Sequence, residues 1–564
     1  MRSNGWAKIG LMLAGGDGYA PYYREALEHG GVRAEIVADF NDLRAYDVLL
    51  LCGEGELTTG QANALLEWTG DGGSLVLSGS SWGLAELIGF QGRPTHLSQG
   101  TLQPSGDRLW PDRSMPIRFY GGKFHKHTSG WEIAVKTEGF PAALRRPYDK
   151  GQILYVAPHV GQTMALMQLG RSVECDLIGP NEPGTRLDDG ILRAEDGIAL
   201  NFSEDRVSVE GSDTPFFGFP HADALRELWV RAVVEAIEST GLRSLISWPW
   251  PNHAPGSAVI SLECDQFDFD VLSRLQRTLT MFGCRATLMV AMPGFPADAY
   301  RHIRTWGHEV GFLFHTDNGS GWHEEKLGIQ FTALGRLSGI AGINSARPIE
   351  GRWRGYTNFY DLCQTAGARL SLSKGGRQPG TQGFAFGTAR PFFPLKRDGN
   401  PYLVAELPTT VYMPGVVTTD PASDFILAQT ALRNGCYHIV FRPDTIDDPA
   451  GNASIRRTLS LAKQQRLEFM TAEEVYRFER ARRQIKVMAK GIGSDTSLHV
   501  ATEAEVVGLG LLIVGGKFEA ESKGREMIVT PLARFGTTMH GLTVTLDAKQ
   551  SVEISLRPVQ SMAA

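Results

Sequence analysis

Cysteine is scarce in this chain. Six residues, Cys52, Cys175, Cys264, Cys284, Cys363 and Cys436, are scattered over 564 positions with no C-x-x-C pair. That spacing argues against a disulfide framework, and the thiols read as reduced core residues of a cytoplasmic protein. Long apolar runs are also missing. None approaches the ~20 residues that span a bilayer. The short run KIGLMLAGG, Lys8–Gly16, opens straight into a loop and a helix pattern with no small-residue cleavage site, so it reads as a strand and not a signal peptide. A basic surplus is lacking too: Lys+Arg number 56 against 62 Asp+Glu, a net charge of -6. This leaves no electrostatic footprint for nucleic acid or an anionic membrane. Internal repeats and low-complexity tracts are absent.

What is present is an ordinary globular composition, 42% hydrophobic and 21% charged, with 65 glycines suited to a loop-rich α/β protein. The length exceeds one hydrophobic core and implies several domains. The first part alternates strand and helix patterns. Lys8–Leu13, Arg33–Val37, Tyr46–Cys52 and Ser74–Leu77 read as strands, with helices over Tyr19–His29 and Thr58–Thr69. The continuous apolar character of YDVLLLC fits a central parallel strand, and the order predicts a doubly wound sheet. Residues 91–146 read as an antiparallel insertion, Gly151–Ala157 as a strand returning to the sheet, and His221–Thr240 as an amphipathic helix. A Pro-rich stretch, Trp248–Pro255, marks a boundary. The expected division is 1–252, 253–484 and 485–564, the last a small β-sandwich of short strands with Gly and Ser turns. That last unit carries no ligand cluster and no Trp in its final strands, so it reads as a packing or oligomerisation unit.

In SLVLSGSSWGLAELIG, Gly79-x-Ser81-x-Gly83 has nucleophile-elbow spacing, where small residues permit a tight strand-to-helix turn. The segment resembles class I glutamine amidotransferase-like domains, and YDVLLLCGEGELTTGQANALLEWTGDGGSLVLSG is similar to their non-catalytic versions. In active amidotransferases the elbow residue is cysteine, followed later by a His-Glu pair. Here it is Ser81, and His159 is the one nearby base candidate. Without a base a serine hydroxyl is a poor nucleophile. The expectation is a structural turn, with a serine hydrolase as the alternative.

The richest stretch is Ala258–Asn318. It opens with AVISLECDQFD, a buried-strand pattern ending in carboxylates, and closes with WGHEVGFLFHTDN, a second such strand ending in histidine. Glu263 and Asp265 stand at i and i+2 on an extended segment and point the same way. One would bind a cation and the other take a proton.

From Ala258 to Phe478 the chain resembles the polysaccharide deacetylase (NodB-homology) family. The resemblance implies a distorted (β/α) barrel, a divalent metal held by one Asp and two His, and a second Asp as general base. Glu263 stands where the base is expected. Cys264 stands where the ligand Asp is expected, unless Asp265 serves. Gly307-His308-Glu309-Val310-Gly311 matches a family motif, with His308 read as a structural turn histidine. Leu313 replaces the first ligand histidine, His315 is the one histidine at that strand end, and Asp317 and His323 are substitutes by proximity. Arg347, Arg352 and Arg354 are candidates to orient the base. Arg442 occupies the place of the final motif's histidine, and His438 lies upstream on the same strand.

The reading implied is a metal-dependent carbohydrate amide hydrolase of N-deacetylase type. Asp265, His315 and Asp317 would hold Zn or a similar divalent ion. Glu263 would take the water's proton and His438 would protonate the amine. Arg352 or Arg354 would orient Glu263, and Arg442 and Trp353 would touch the saccharide. The alternative is a catalytically degenerate saccharide-binding protein in polysaccharide synthesis or assembly, to which the losses at Leu313 and Arg442 point. Whether the chain forms a homo-oligomer is left open.

Overall fold

The computed structural model describes residues 5–559 apart from 112–114, 178–188, 316–322, 341 and 493–494. The architecture is α/β, with a β-rich C-terminal region. The first sheet has nine strands. Glu35–Ile36, Ile9–Leu13, Val48–Cys52, Ser74–Ser78 and Gly151–Val156 run parallel in that spatial order. The central three are buried along nearly their whole length, which is why they read as continuous apolar runs. Phe140–Tyr148, Glu132–Thr137, Gln99–Gln103 and Ile117–Tyr120 extend the sheet antiparallel, and account for the irregular pattern after residue 90.

The middle of the chain forms a curled, all-parallel half-barrel. Its strand order begins Ala405–Glu406, Leu370–Ser371, Ser345–Pro348, Glu309–Phe314, Thr287–Val290. It continues through Ser257–Cys264 and Cys436–Phe441 to Val411–Tyr412, while Glu468–Met470 pairs with the first half of Ser257–Cys264. All eight residues of Ser257–Cys264 are buried. The C-terminal part consists of two antiparallel sheets. One of them contains Ser244–Ser247, which precedes the barrel in the chain and pairs with Leu511–Val514.

Two helices tie these sheets together. His221–Ser239 was expected to be amphipathic, yet sixteen of its nineteen residues are buried. Its polar face is covered because its buried carboxylates meet partners from elsewhere. Glu235 pairs with Arg145 at 2.8 Å and Glu227 with Arg534 at 3.1 Å, while Asp223 accepts the Ala389 amide at 2.9 Å. In Ala472–Gln484, Arg483 reaches Glu25 at 2.5 Å and Arg482 donates to Ser247 Oγ at 3.1 Å. Burial raises the cost of the Glu479 carboxylate, but the charges of Arg482 and Arg483 hold it down at about 2.

Candidate site at the barrel strand ends

Glu263 is the penultimate residue of its strand and is 5% exposed. Its oxygens are both engaged. Arg347 Nε donates to Oε1 at 2.7 Å, and the Tyr412 hydroxyl donates to Oε2 at 3.0 Å. The Arg377 guanidinium lies 3.7 Å from Oε2, hydrogen-bonds the Tyr412 hydroxyl, and covers the Tyr412 ring at 4.4 Å. Burial alone would raise the carboxyl. The charges of Arg377 and Arg347, with the bonds from Arg347 and Tyr412, outweigh it and hold the group at about 2. Arg347 is fixed in turn by the Leu372 carbonyl at 2.5 Å and the Thr409 hydroxyl at 3.0 Å.

Asp265 follows the same strand and is partly exposed. It faces Arg442 Nη1 at 3.1 Å, and Arg442 also lies 3.5 Å from Asp444. Arg442, expected at the saccharide, is thus the partner of the expected metal ligand. His315 follows Glu309–Phe314, two strands away, and is half-buried; its carbonyl accepts from Gln330 at 2.7 Å. Asp317 lies outside the described residues. His323 pairs with Glu325 at 3.1 Å. Leu313 is fully buried, in register with Arg347. Cys264 is buried, and burial pushes its thiol well up, away from the thiolate a metal needs. Among the described residues no group of three His, Cys, Asp or Glu side chains is placed to hold a metal ion.

His438 sits elsewhere. It is in register with Val259, four positions before Glu263, so it lies lower in the barrel interior. Its Nε2 pairs with Ser261 Oγ at 2.9 Å and its Nδ1 with the Pro408 carbonyl at 3.2 Å. Burial, then the charge of Arg347, lowers it to about 3, so the imidazole is neutral and enclosed. This placement does not suit a proton donor at the strand ends.

The two arginines expected to orient Glu263 do not touch it. Arg352 pairs with Glu350 at 3.3 Å and Arg354 is exposed; Arg347, the other candidate, makes that contact. His308 is buried and its Nδ1 accepts the Ala286 amide at 3.1 Å, a structural role. Trp353 is 1% exposed, with its indole N–H on the Gly355 carbonyl at 3.0 Å, so it offers no face to a sugar. It instead forms a cage with Phe386 around the Lys374 ammonium, 3.8 Å and 5.0 Å from the ring centroids. Lys374 Nζ donates to the Leu169 carbonyl at 3.0 Å. Burial lowers this amine below the usual lysine range, opposed by the charge of Glu406.

Sequence reasoning missed Arg377, Tyr412, Lys374 and Glu195. Glu195 Oε2 accepts the Arg377 amide at 2.6 Å, the Gln378 amide at 3.2 Å and the Thr381 hydroxyl at 2.8 Å. Those bonds cross more than 180 chain positions, between irregular segments that carry no periodic signal.

At the Ser81 turn, strand Ser74–Ser78 leads into bends and turns through residue 89 where a helix was expected. Positive φ falls on Gly79, Trp82 and Gly83, so the strained side-chain-bearing position is Trp82 and not Ser81. His159 is committed elsewhere. Its Nε2 meets Asp17 at 2.6 Å and its Nδ1 accepts the Gln162 amide at 3.0 Å. Both ring nitrogens are taken, and among the described residues no imidazole bonds Ser81.

No family model matches the chain and no curated protein matches it. Among solved structures, one from Mycobacterium smegmatis assigned as a polysaccharide deacetylase is similar over 42% of this chain and 93% of its own, at 14% identity and a TM-score of 0.31. Puue allantoinase is similar over 41% and 92%, at 14% identity and 0.31. The β-galactosidase from Bacillus circulans sp. alkalophilus is similar over 27% of this chain, at 16% identity and 0.24. The chain spans 28% of that β-galactosidase. At these scores the likeness is partial, and no activity follows from it.

Proposed function

We propose that the strand-end face of the barrel binds a saccharide without hydrolysing it. The observation that carries the reading is the state of Glu263. A carboxylate held at about 2 by Arg377, Arg347 and Tyr412 is a very weak base at neutral pH, and each of its oxygens already accepts a hydrogen bond. The pairing of Asp265 with Arg442 and the apolar Leu313 add to it. The carbohydrate class comes from the sequence resemblance to polysaccharide deacetylases.

The metal-dependent N-deacetylase remains the second reading. It is favoured by Asp265 and His315, both following strands of one parallel sheet, and it draws on Asp317. A divalent ion there would supply a Lewis acid for an amide carbonyl. It requires Arg442 to release Asp265.

The test is calorimetric titration of the full chain with N-acetylated and deacetylated oligosaccharides, alongside acetate release in the presence of Zn²⁺ or Co²⁺. Binding without acetate supports the proposal. Acetate release that chelation abolishes returns the hydrolase, and binding of neither class of oligosaccharide overturns the saccharide reading.

A further inference from the structure

The strand-end face is not built by the barrel alone. After helix Val160–Leu169 the chain runs onto that face. Val173 and Gly355 exchange backbone hydrogen bonds at 3.0 Å and 2.9 Å. The Trp353 amide donates to the Leu192 carbonyl at 3.1 Å, and Arg193 Nε donates to the Glu350 carbonyl at 3.1 Å. The short turn Ala194–Gly197 then presents Glu195, 2% exposed, to the Arg377–Thr381 loop.

The bonding pattern at Glu195 is specific. Its carboxylate takes the backbone N–H groups of Arg377 and Gln378 and the hydroxyl of Thr381, and leaves the Arg377 guanidinium free to point elsewhere. That guanidinium goes to Tyr412 and Glu263. All three donors converge on Glu195 Oε2, and hydrogen bonds to a charged acceptor in a dry setting are the strong ones. Arg347, the other guanidinium on Glu263, is held by the barrel itself, through the Leu372 carbonyl and Thr409. The two arginines therefore depend on different parts of the chain.

We propose that Glu195 is a positioning residue for the candidate site: it seats the Arg377 loop from the N-terminal side and so holds the Arg377 guanidinium against Tyr412 and Glu263. It touches neither Glu263 nor Tyr412 and acts only through Arg377. The N-terminal part of the chain thereby completes the binding face, and a change in its docking reaches Glu263 through one side chain. Only the functional meaning of this contact rests on the saccharide-binding reading. The contact itself is testable with no ligand.

The experiment is arginine-selective labelling of the folded full chain with phenylglyoxal, read peptide by peptide by mass spectrometry. In the wild type both Arg377 and Arg347 are protected. Glu195→Gln raises the labelling rate of Arg377 about tenfold or more, the factor expected for losing a charged acceptor, while Arg347 stays protected. Glu195→Asp restores part of the protection. Unchanged labelling of Arg377 in Glu195→Gln overturns the proposal. Equal exposure of Arg347 also overturns it, because that pattern is general loosening and not selective release. Should Glu195→Gln fail to fold, Thr381→Val removes one of the three bonds and keeps the charge. Selective release of Arg377 there supports the proposal and its absence overturns it. Loss of saccharide binding with Arg377 protection intact bears on the proposed function alone.

Discussion

Arg347 and Glu263 meet at 2.7 Å inside the barrel, with side chains 2% and 7% exposed. Removing one member of such a pair leaves a charge buried without its principal partner. Arg347→Met should lower stability by about 3–5 kcal/mol, read as a shift of the urea midpoint at unchanged slope. The double variant Arg347→Met with Glu263→Gln should recover much of the loss. A single variant within about 1 kcal/mol of wild type would show that the pair contributes little.

The Asp265–Arg442 pair bears on metal binding. It is partly exposed, at 28% and 40%, so its own effect on stability is small. The purified full chain should carry substoichiometric divalent metal by plasma mass spectrometry. Asp265→Asn and His315→Ala should leave that content unchanged. One equivalent of metal, lost in either variant, would count for the hydrolase.

Ser81 should stay unlabelled by a fluorophosphonate probe, because His159 is committed to Asp17 and to the Gln162 amide. Labelling that disappears in Ser81→Ala would overturn the structural reading of this turn.

Glu309 gives a pH signature. It caps the helix Ala472–Gln484 through the Glu473 amide at 2.8 Å and takes hydroxyl bonds from Thr287 at 2.7 Å and Ser345 at 2.5 Å. Burial nevertheless pushes its carboxyl up to about 7, against those bonds. In the unfolded chain it titrates at ~4.3. The folded state therefore holds the proton between those limits, and this group's contribution falls as pH rises through them. Glu309→Gln should flatten the decline in Tm from pH 5 to pH 7. An unchanged slope would place the cause elsewhere.

The buried strands were legible in the sequence. Val48–Cys52, Ser257–Cys264 and Glu309–Phe314 lie inside parallel sheets, covered on both faces, and each is dominated by apolar residues, with Ser257, Ser261, Glu263 and Glu309 as polar exceptions. Glu263 was legible for the same reason, being a carboxylate at the end of such a run. Its partners were not equally so. Arg347 stands on a strand and was among the candidates, but Arg377 lies in a long irregular stretch with no pattern to place it. The G-x-S-x-G spacing signalled a tight turn correctly, but spacing cannot say which residue takes the positive φ, and Trp82 does. For His438, strand parity showed only that it could share a side with Arg442; its depth in the barrel follows from interstrand register.

The pairing of Ser244–Ser247 with Leu511–Val514 sets an order of events during synthesis. Every strand of the barrel lies between Ser247 and Leu511 in the chain. On a growing chain the first of these strands can bond earlier segments at once, the Ser247 amide donating to the Gly31 carbonyl at 3.0 Å, but its pairing with Leu511–Val514 waits until the barrel has been made. A product truncated before Leu511 leaves that strand without its sheet partner, an exposed edge open to other chains. Closure of this sheet therefore marks a chain translated beyond Val514.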